Sequence, residues 1–301
     1  MRISTNTIYQ TAISKIGDLQ SDQSKLQQQI ATGRRILTPS DDPLAASRAL
    51  EISQSQSMNT QFTNNRKIAV GNLTGLDTSL GSINEILTTT QTTLVGAAGT
   101  LSTAQRGVVA TQLSSTLETL IGLANTRDAT GNYMYAGFKG DTKPFTATAA
   151  GATYNGDSNQ QLLQVDGQRQ MAVNATGDSV FQAGGNDVFA TYSNLITVLN
   201  NPASTDAAVQ SAVASAITSI KDANYNVGLV RSSVGSKLNE IDSLDAVGSS
   251  RDLEYAQSLS SLQDLDYTQA LSDVAQKQTI LDAAQKAFVK TTSLSLFDYI
   301  K

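Results

Sequence analysis

The sequence contains neither cysteine nor histidine and no tryptophan among its 301 residues. Without cysteine a disulfide framework is impossible. Without cysteine or histidine a conventional zinc site, a Ser-His-Asp triad and a cysteine nucleophile are excluded. The chemistry left open is a carboxylate pair, a Ser–Lys pair, or Ca²⁺ or Mg²⁺ held by carboxylates. Nothing in the sequence places such a set of groups together, so we predict a protein that is not an enzyme, with no cofactor and no metal.

Positive charge is also scarce, because 21 lysines and arginines stand against 26 acidic residues, a net charge of −5. The sequence has no basic stripe that could release counterions from phosphates, so nucleic acid is not a predicted partner. No apolar run approaches the roughly 20 residues of a membrane-spanning helix. The first residues lack the apolar segment of a cleaved signal peptide, so a secreted role would need a route that uses none.

Aromatic residues make up only 5% of the chain, whose bulk is Ala, Leu, Ser, Thr and Gln. This composition suits long helices packed along thin seams. Four segments repeat apolar residues at spacings of three and four, which predicts a coiled-coil-like seam in each. The second seam runs from Leu73 to Leu94 and the third from Val213 to Ile241. The first consists of Tyr9, Ala12, Ile16, Leu19, Gln23, Leu26 and Ile30, and the fourth of Tyr267, Leu271, Val274, Gln278, Leu281, Gln285 and Phe288.

Local signals mark where these helices begin and end. Gly33 can close the first helix in the left-handed conformation that a C-terminal glycine adopts. Asp42 is a natural N-cap, and Pro43 follows it at the first helical position, where its missing N–H costs nothing. We therefore predict a long helix from Pro43 to about Val95, ended by the small residues at 96–99.

The pattern changes between residues 132 and 189, where tyrosine, phenylalanine and glycine concentrate. Asp166 and Gly167 lie between QQLLQV and QRQMAV, which predicts a hairpin through a type I′ turn. This segment is therefore expected to be a small β insert. A short helix is predicted for 187–199, and a long helix from about Thr205.

The order of elements, helices then β insert then helices, predicts a mainly α fold with a small β insert. We expect an elongated rod of long antiparallel helices, with the N- and C-terminal helices paired and a β-rich knob in the middle of the chain. Three domains are predicted. They are 1–42 with 264–301 as a terminal coiled-coil layer, 43–131 with 187–263 as a central helical rod, and 132–186 as a β-rich outer domain.

The terminal helices present a specific energetic problem. Ordering each residue costs roughly 1–2 kcal/mol of backbone entropy, and a narrow seam interrupted by glutamines cannot recover that cost in a lone helix. We therefore hypothesise that the ends are poorly ordered in the monomer and pack only in a multi-subunit assembly. The predicted assembly interface consists of Tyr9, Ile16, Leu19, Leu26, Ile30, Tyr267, Leu271, Val274, Leu281 and Phe288.

Several long segments, in the same order, carry a resemblance to a known family. They are MRIST at the start, LQQQIATGRRILTPSDDPLAASRAL at 26–50, GNYMYAGFKGDTKPF at 131–145, YNGD at 154–157, RSSVGSKLNEIDSL at 231–244, DLDYTQALSDVAQKQTILDAAQKAF at 264–288 and LSLFDYI at 294–300. Together they resemble the flagellin superfamily and, within it, the hook–filament junction proteins.

The resemblance implies a tubular assembly. Paired terminal helices would form its inner layer, the central helices the next layer, and the β insert would face outward. It implies an extracellular place at the hook–filament junction of the bacterial flagellum, with further copies of the chain, hook-associated protein 1 and flagellin as partners. It also implies unfolded export through the flagellar type III channel, which would account for the missing signal peptide. A flagellar export chaperone is the expected partner before export.

Other readings remain open at this point. The nearest alternative is flagellin itself, although the RILTPSDDPLAASRAL stretch and the LSLFDYI ending resemble the junction proteins more. A secreted coiled-coil effector or adhesin would bind a receptor without any tubular lattice. A hydrolase of cell-wall glycan would need two acids held across a cleft, and nothing in the sequence places such a pair.

Overall fold

The structure, a computed structural model, describes residues 2–293 and is mainly helical. The mainly α fold with a small β insert is as predicted. In chain order the elements are α1 (Arg2–Thr32), α2 (Pro43–Gly96), α3 (Thr103–Ala124), β1 (Phe145–Thr148), β2 (Gly151–Tyr154), β3 (Leu162–Asp166), β4 (Arg169–Ala172), α4 (Gly177–Phe181), α5 (Val188–Asn200), α6 (Asp206–Gln263) and α7 (Tyr267–Ser293), with a 3₁₀ turn at Ala183–Gly185.

The helix ends follow the local signals. Helix α1 is closed by Gly33, whose φ of 70° is the left-handed conformation. At the start of α2 the Asp42 carboxylate accepts the backbone N–H of Ala45 at 3.0 Å, and Pro43 is the first helical residue. Ser102 caps α3 in a reciprocal capping box with the side chain of a glutamine three residues later. The predicted boundaries at Gly33 and Pro43 are therefore confirmed.

The chain divides into two compact units, Met1–Met58 with Ser250–Lys301 and Asn59–Ser249. The first unit contains α1 and α7. The second contains α3, α5 and all four strands. Helices α2 and α6 contribute residues to both. The three-domain division remains a prediction.

The core of the Asn59–Ser249 unit contains the second and third predicted seams. Leucine and isoleucine side chains of α2 and small or branched side chains of α6 are buried at the predicted spacing, so these seams are intramolecular core. The buried seam residues of α2 are Leu73, Leu76, Leu80, Ile83, Leu87, Thr90 and Leu94, and those of α6 are Val213, Ala216, Ile220, Ala223, Val227, Val234 and Ile241.

The β insert consists of two antiparallel hairpins, β1–β2 and β3–β4. The predicted β3–β4 hairpin is present, but the prediction of a type I′ turn at Asp166 and Gly167 is wrong. The turn is formed by Gly167 and Gln168, and neither residue has the positive φ that a type I′ turn requires. Asp166 belongs to the ladder and pairs with Arg169, so the turn begins one residue later than predicted. The β1–β2 hairpin was not predicted.

Aromatic side chains of the insert join the helical core instead of forming a core of their own. Phe145 contacts the rings of Phe181 and Phe189 at centroid distances of 5.3 and 4.9 Å. The Tyr135 hydroxyl donates to Ser79 Oγ of α2 at 2.8 Å. This buried hydrogen bond ties the insert to the long helix beneath it.

Candidate assembly interface

Helices α1 and α7 form an antiparallel pair that joins the two ends of the chain. At one end of the pair the Leu265 N–H donates to the Gly33 carbonyl at 3.0 Å. Midway, Lys277 Nζ lies 2.6 Å from an Asp22 carboxylate oxygen, and this hydrogen bond lowers the pKa of Asp22. At the far end the rings of Tyr9 and Phe288 meet edge to face. The pairing predicted for the terminal helices is therefore present.

The polar contacts along this pair fix its register. Beside the Asp22–Lys277 bridge, Gln23 Nε2 donates to Gln278 Oε1 at 3.2 Å. A one-turn slip of either helix would break both contacts at once, while the apolar contacts would tolerate it better. Both contacts are exposed and lie along the edge of the seam, so they favour this register without being buried in it.

The face of α7 that meets α1 is rotated from the predicted face. Val274, Leu281 and Phe288 belong to both faces. Between them the residues that turn towards α1 are Ala270, Lys277 and Ala284, whereas the predicted Leu271, Gln278 and Gln285 are exposed. Ala270 is 2% exposed and Leu271 is 57% exposed. The face is turned by roughly half of the 100° that separates adjacent residues, which leaves the large apolar side chain of Leu271 outside the pair.

On α1 the predicted seam does face α7, but a single partner helix covers it incompletely. The α1 members of the predicted interface are all half-buried and none is fully buried; they are Tyr9, Ile16, Leu19, Leu26 and Ile30. On α7, Val274 and Phe288 are half-buried, Leu281 is buried at 8% exposed, and Tyr267 and Leu271 are exposed. The structure thus brings eight of the ten residues together in one seam.

An apolar groove remains at the far end of this seam. Tyr9, Ile16 and Leu19 of α1 line one wall, and Ala284 and Phe288 of α7 line the other. The groove is an open cavity of about 250 Å³. Its size shows that the two helices do not fill the space between them.

Three further exposed apolar residues on these helices were missed by the sequence interpretation. Ile13 of α1 is 56% exposed, and Ile280 and Val289 of α7 are 44% and 63% exposed. They lie outside the heptad spacing that was used to choose the seam residues. The available signal was their large apolar side chains among polar neighbours on otherwise hydrophilic helix faces.

Acidic side chains nowhere gather, within residues 2–293, into a group of three or more that could hold a metal ion. In the same part of the chain, no helix combines the length and apolar character needed to cross a membrane.

Two relatives match this chain over nearly its whole length. The model of the bacterial flagellin N-terminal helical region matches residues 3–139. The flagellar hook-associated protein 3 of Escherichia coli K12 is 34% identical over 319 aligned residues, which cover 100% of both chains. The protein of the same name from Salmonella typhimurium LT2 is 33% identical over 99% of each chain.

A solved structure shows the same fold. The crystal structure of the flagellar junction protein FlgL from Legionella pneumophila is 19% identical, with a TM-score of 0.62 over 72% of this chain and 100% of that one. That likeness shows the fold, while the full-length identity above 30% shows the family. The chain therefore belongs to the flagellar hook-associated protein 3 family of the flagellin superfamily.

Proposed function

We propose that this chain is a structural adaptor of the bacterial flagellum. It polymerises at the hook–filament junction, between hook-associated protein 1 and the flagellin filament. The observation that carries the proposal is the α1/α7 pair, whose apolar side chains are covered on one side only. Membership of the hook-associated protein 3 family supplies the place of the assembly.

The distribution of apolar residues on α7 supports a helix surrounded by neighbours. Leu281 faces α1, and adjacent residues of an α-helix point about 100° apart. Ile280 and Leu271 therefore lie on opposite flanks of the seam, and both are exposed. A helix with apolar residues on several faces is typical of a buried helix, not of one side of a two-helix pair. The missing cover comes, in this proposal, from other copies of the chain.

The ten predicted interface residues then divide into two groups with different roles. Tyr9, Ile16, Leu19, Leu26, Ile30, Val274, Leu281 and Phe288 hold α1 to α7 within one subunit. Leu271, together with Ile13, Ile280 and Val289, contacts neighbouring subunits. Tyr267, whose hydroxyl lies against Gly33 of the same chain, contributes its exposed half. The incomplete burial of the first group supports a further role for it at the subunit boundary.

Membership of the same family also supports a route by which the chain reaches the hook–filament junction. The chain leaves the cell unfolded through the flagellar type III export channel, held before export by a flagellar export chaperone. A chain without cysteine cannot be trapped by disulfides on the way. The role is structural and not enzymatic, and its site is extracellular.

Deletion of the gene in its host tests the proposal. Hooks are imaged by electron microscopy and the medium is assayed for flagellin, with re-expression of the wild-type chain as the control. Intact hooks without filaments, with flagellin in the medium, support the junction role. Loss of filaments with no flagellin anywhere identifies the chain as flagellin. Normal filaments and motility overturn the flagellar role and favour a secreted effector.

A further inference from the structure

Four helix ends meet at one place in the first unit. Helix α1 ends at Thr32 and is closed by Gly33, and the N-cap of α2 is Asp42. Helix α6 ends at Gln263, and Asp266 caps α7. Asp266 accepts the backbone N–H groups of the second and third residues after it, at 2.9 and 3.1 Å. Residues 33–42 and 262–266 are called the clasp below.

Arg35 is the residue that connects most of these ends. Its backbone N–H donates to the Gln263 carbonyl at 2.7 Å, and Nη2 donates to the Leu262 carbonyl at 2.9 Å. Both terminal nitrogens of the same guanidinium lie 3.3 Å from Asp42 Oδ2. One side chain therefore bridges the end of α6 and the start of α2.

The charges at this bridge match the helix dipoles. The last carbonyls of α6 carry partial negative charge and accept from the Arg35 cation, while the first N–H groups of α2 face the Asp42 carboxylate. The planar, forked guanidinium can serve a carbonyl and a carboxylate together, which a lysine ammonium on a flexible stem does less well. The guanidinium geometry thus suits Arg35 to this position.

Backbone and side-chain contacts fasten the rest of the clasp. A β-bridge pairs Arg34 with Asp264, and Lys25 Nζ lies 2.6 Å from Asp41 Oδ1. The other oxygen of Asp41 accepts the N–H groups of Leu37 and Thr38, each at 3.0 Å. The Lys25 hydrogen bond, followed by those two N–H groups, holds the pKa of Asp41 well below its usual range.

We infer that Arg35 is a positioning residue that locks the bases of α1 and α7 together in the register seen along their seam. The reason is topological. The α1/α7 pair joins the two ends of the chain, so closing it from free ends carries a large entropic cost. A clasp already formed at the bases makes that closure local and raises the effective concentration of one helix near the other.

The register itself is set by backbone contacts of the clasp, next to the Arg35 bridge. The Leu265–Gly33 hydrogen bond and the Arg34–Asp264 bridge fix which residue of α1 lies opposite which residue of α7. The Asp22–Lys277 and Gln23–Gln278 contacts are consistent with this register further along the pair. In an assembly, neighbouring subunits would then meet an α1/α7 pair of defined register. This consequence rests on the proposed function.

Amide hydrogen exchange of the purified full-length chain tests the clasp directly. The variant R35Q is compared with R34Q, which removes the same charge from the adjacent, exposed arginine. Hydrogen bonds made by a charged group are stronger than those between neutral groups. The Arg35 side chain is half exposed, and water weakens its contacts. We therefore expect roughly tenfold faster exchange in the clasp of R35Q. The R34Q clasp and the Asn59–Ser249 unit should exchange as in the wild type.

A third variant, R35K, keeps the positive charge and loses the planar fork, and we expect exchange between that of the wild type and R35Q. Equal exchange in R35Q and R34Q overturns the inference. If R35Q exchanges faster along the whole chain, that variant is globally destabilised, and R35K is used instead. Faster exchange confined to the clasp of R35K supports the inference. Exchange as in the wild type in the clasp of R35K overturns it.

Motility of the host separates this inference from the proposed function. If the deletion strain has normal filaments, the flagellar role is wrong. The exchange result on the purified chain is then still a valid test of the clasp. If the deletion strain lacks filaments but R35Q exchanges as the wild type does, the junction role is supported. The inference about Arg35 is then wrong.

Discussion

Tyr9 and Phe288, near opposite ends of the sequence, meet edge to face with ring centroids 5.4 Å apart and planes inclined by 74°. Aromatic pairs in this geometry contribute about 0.5–1.5 kcal/mol beyond the area they bury. Both rings remain half-buried and line the open groove at the far end of the α1/α7 seam. The contact therefore closes the chain on itself without completing a core.

The first prediction concerns the order of α1 in the monomer. Its seam residues are only half-buried, so the stability gained does not match the entropy lost on ordering the helix. We expect amides of residues 5–32 to exchange quickly in dilute monomer, slowest next to the clasp, and at least tenfold more slowly in assembled material. The measurement is hydrogen exchange at the peptide level in both states. Strong protection from exchange across residues 5–32 in dilute monomer would contradict the hypothesis that the ends are poorly ordered.

The second prediction separates contacts within a subunit from contacts between subunits. Leu271 is exposed, so Leu271→Gln should change the free energy of unfolding of the monomer by less than about 0.5 kcal/mol. If other subunits cover this residue, the variant should nevertheless fail to restore filaments in the deletion strain. Ser272→Ala, at the adjacent exposed position, is the matched control and should restore them. Normal filaments with Leu271→Gln would show that this flank of α7 is not an interface.

The third prediction concerns Gly248 of α6. Arg66 is only 1% exposed, and its guanidinium contacts Asp245, the Val165 carbonyl and Thr63. A Cβ at Gly248 would lie 2.5 Å from Arg66 Nη2. Gly248→Ala must push this buried cation away from its partners, at a cost of roughly 1–3 kcal/mol. The preference of a helix for alanine, about 1 kcal/mol, offsets only part of that cost, so we expect net destabilisation.

Gly235 provides the control for this substitution on the same helix. A Cβ added there meets no atom within 4 Å, and alanine is the better helix former by about 1 kcal/mol. Gly235→Ala should therefore stabilise the chain where Gly248→Ala destabilises it, as measured by urea unfolding. The same sign for both substitutions would refute the role of glycine in accommodating Arg66.

The fourth prediction is an alkaline transition. Burial raises the pKa of Tyr154 and Tyr192 to about 12 and also raises the pKa of Tyr135. In the unfolded chain tyrosine ionises near pH 10. The stability linked to these neutral hydroxyls is therefore fully present below about pH 10 and is lost as the pH rises through the folded values.

Tyrosinate absorbance and far-ultraviolet circular dichroism, recorded together against pH, test this transition. Of the nine tyrosines, these three should ionise late, together with the loss of helix. Tyr192→Phe should reduce the late group by one. Ionisation of all tyrosines near pH 10 in a chain that remains folded would contradict the prediction.

Local signals in the sequence were sufficient for the helix boundaries. Gly33 ends α1 because only a residue without a Cβ takes a positive φ freely, and Asp42 with Pro43 starts α2 because together they suit the N-terminal turn. These effects act within a few residues and need no tertiary partner. The turn between β3 and β4 was predicted wrongly because Asp166 pairs with Arg169 across the hairpin, which leaves Gly167 and Gln168 to form the turn.

The face of α7 that meets α1 could not be read from spacing alone. Two heptad patterns share Val274, Leu281 and Phe288, and the sequence interpretation chose the pattern with the larger Leu271 over the one with Ala270. Hydrophobicity favours that choice for a helix considered by itself. The structure places alanine in the seam, and a small side chain there lets α1 approach closely.

The sequence by itself determined the excluded chemistry, the positions of the long helices and the resemblance to the flagellin superfamily, because composition, caps and periodicity are properties of short stretches of chain. Only the tertiary structure decided that Arg35 bridges two helix ends and that Leu271 stays outside the terminal pair. Both depend on which residues distant in sequence become neighbours. That is set by the packing of whole helices, which no local pattern specifies.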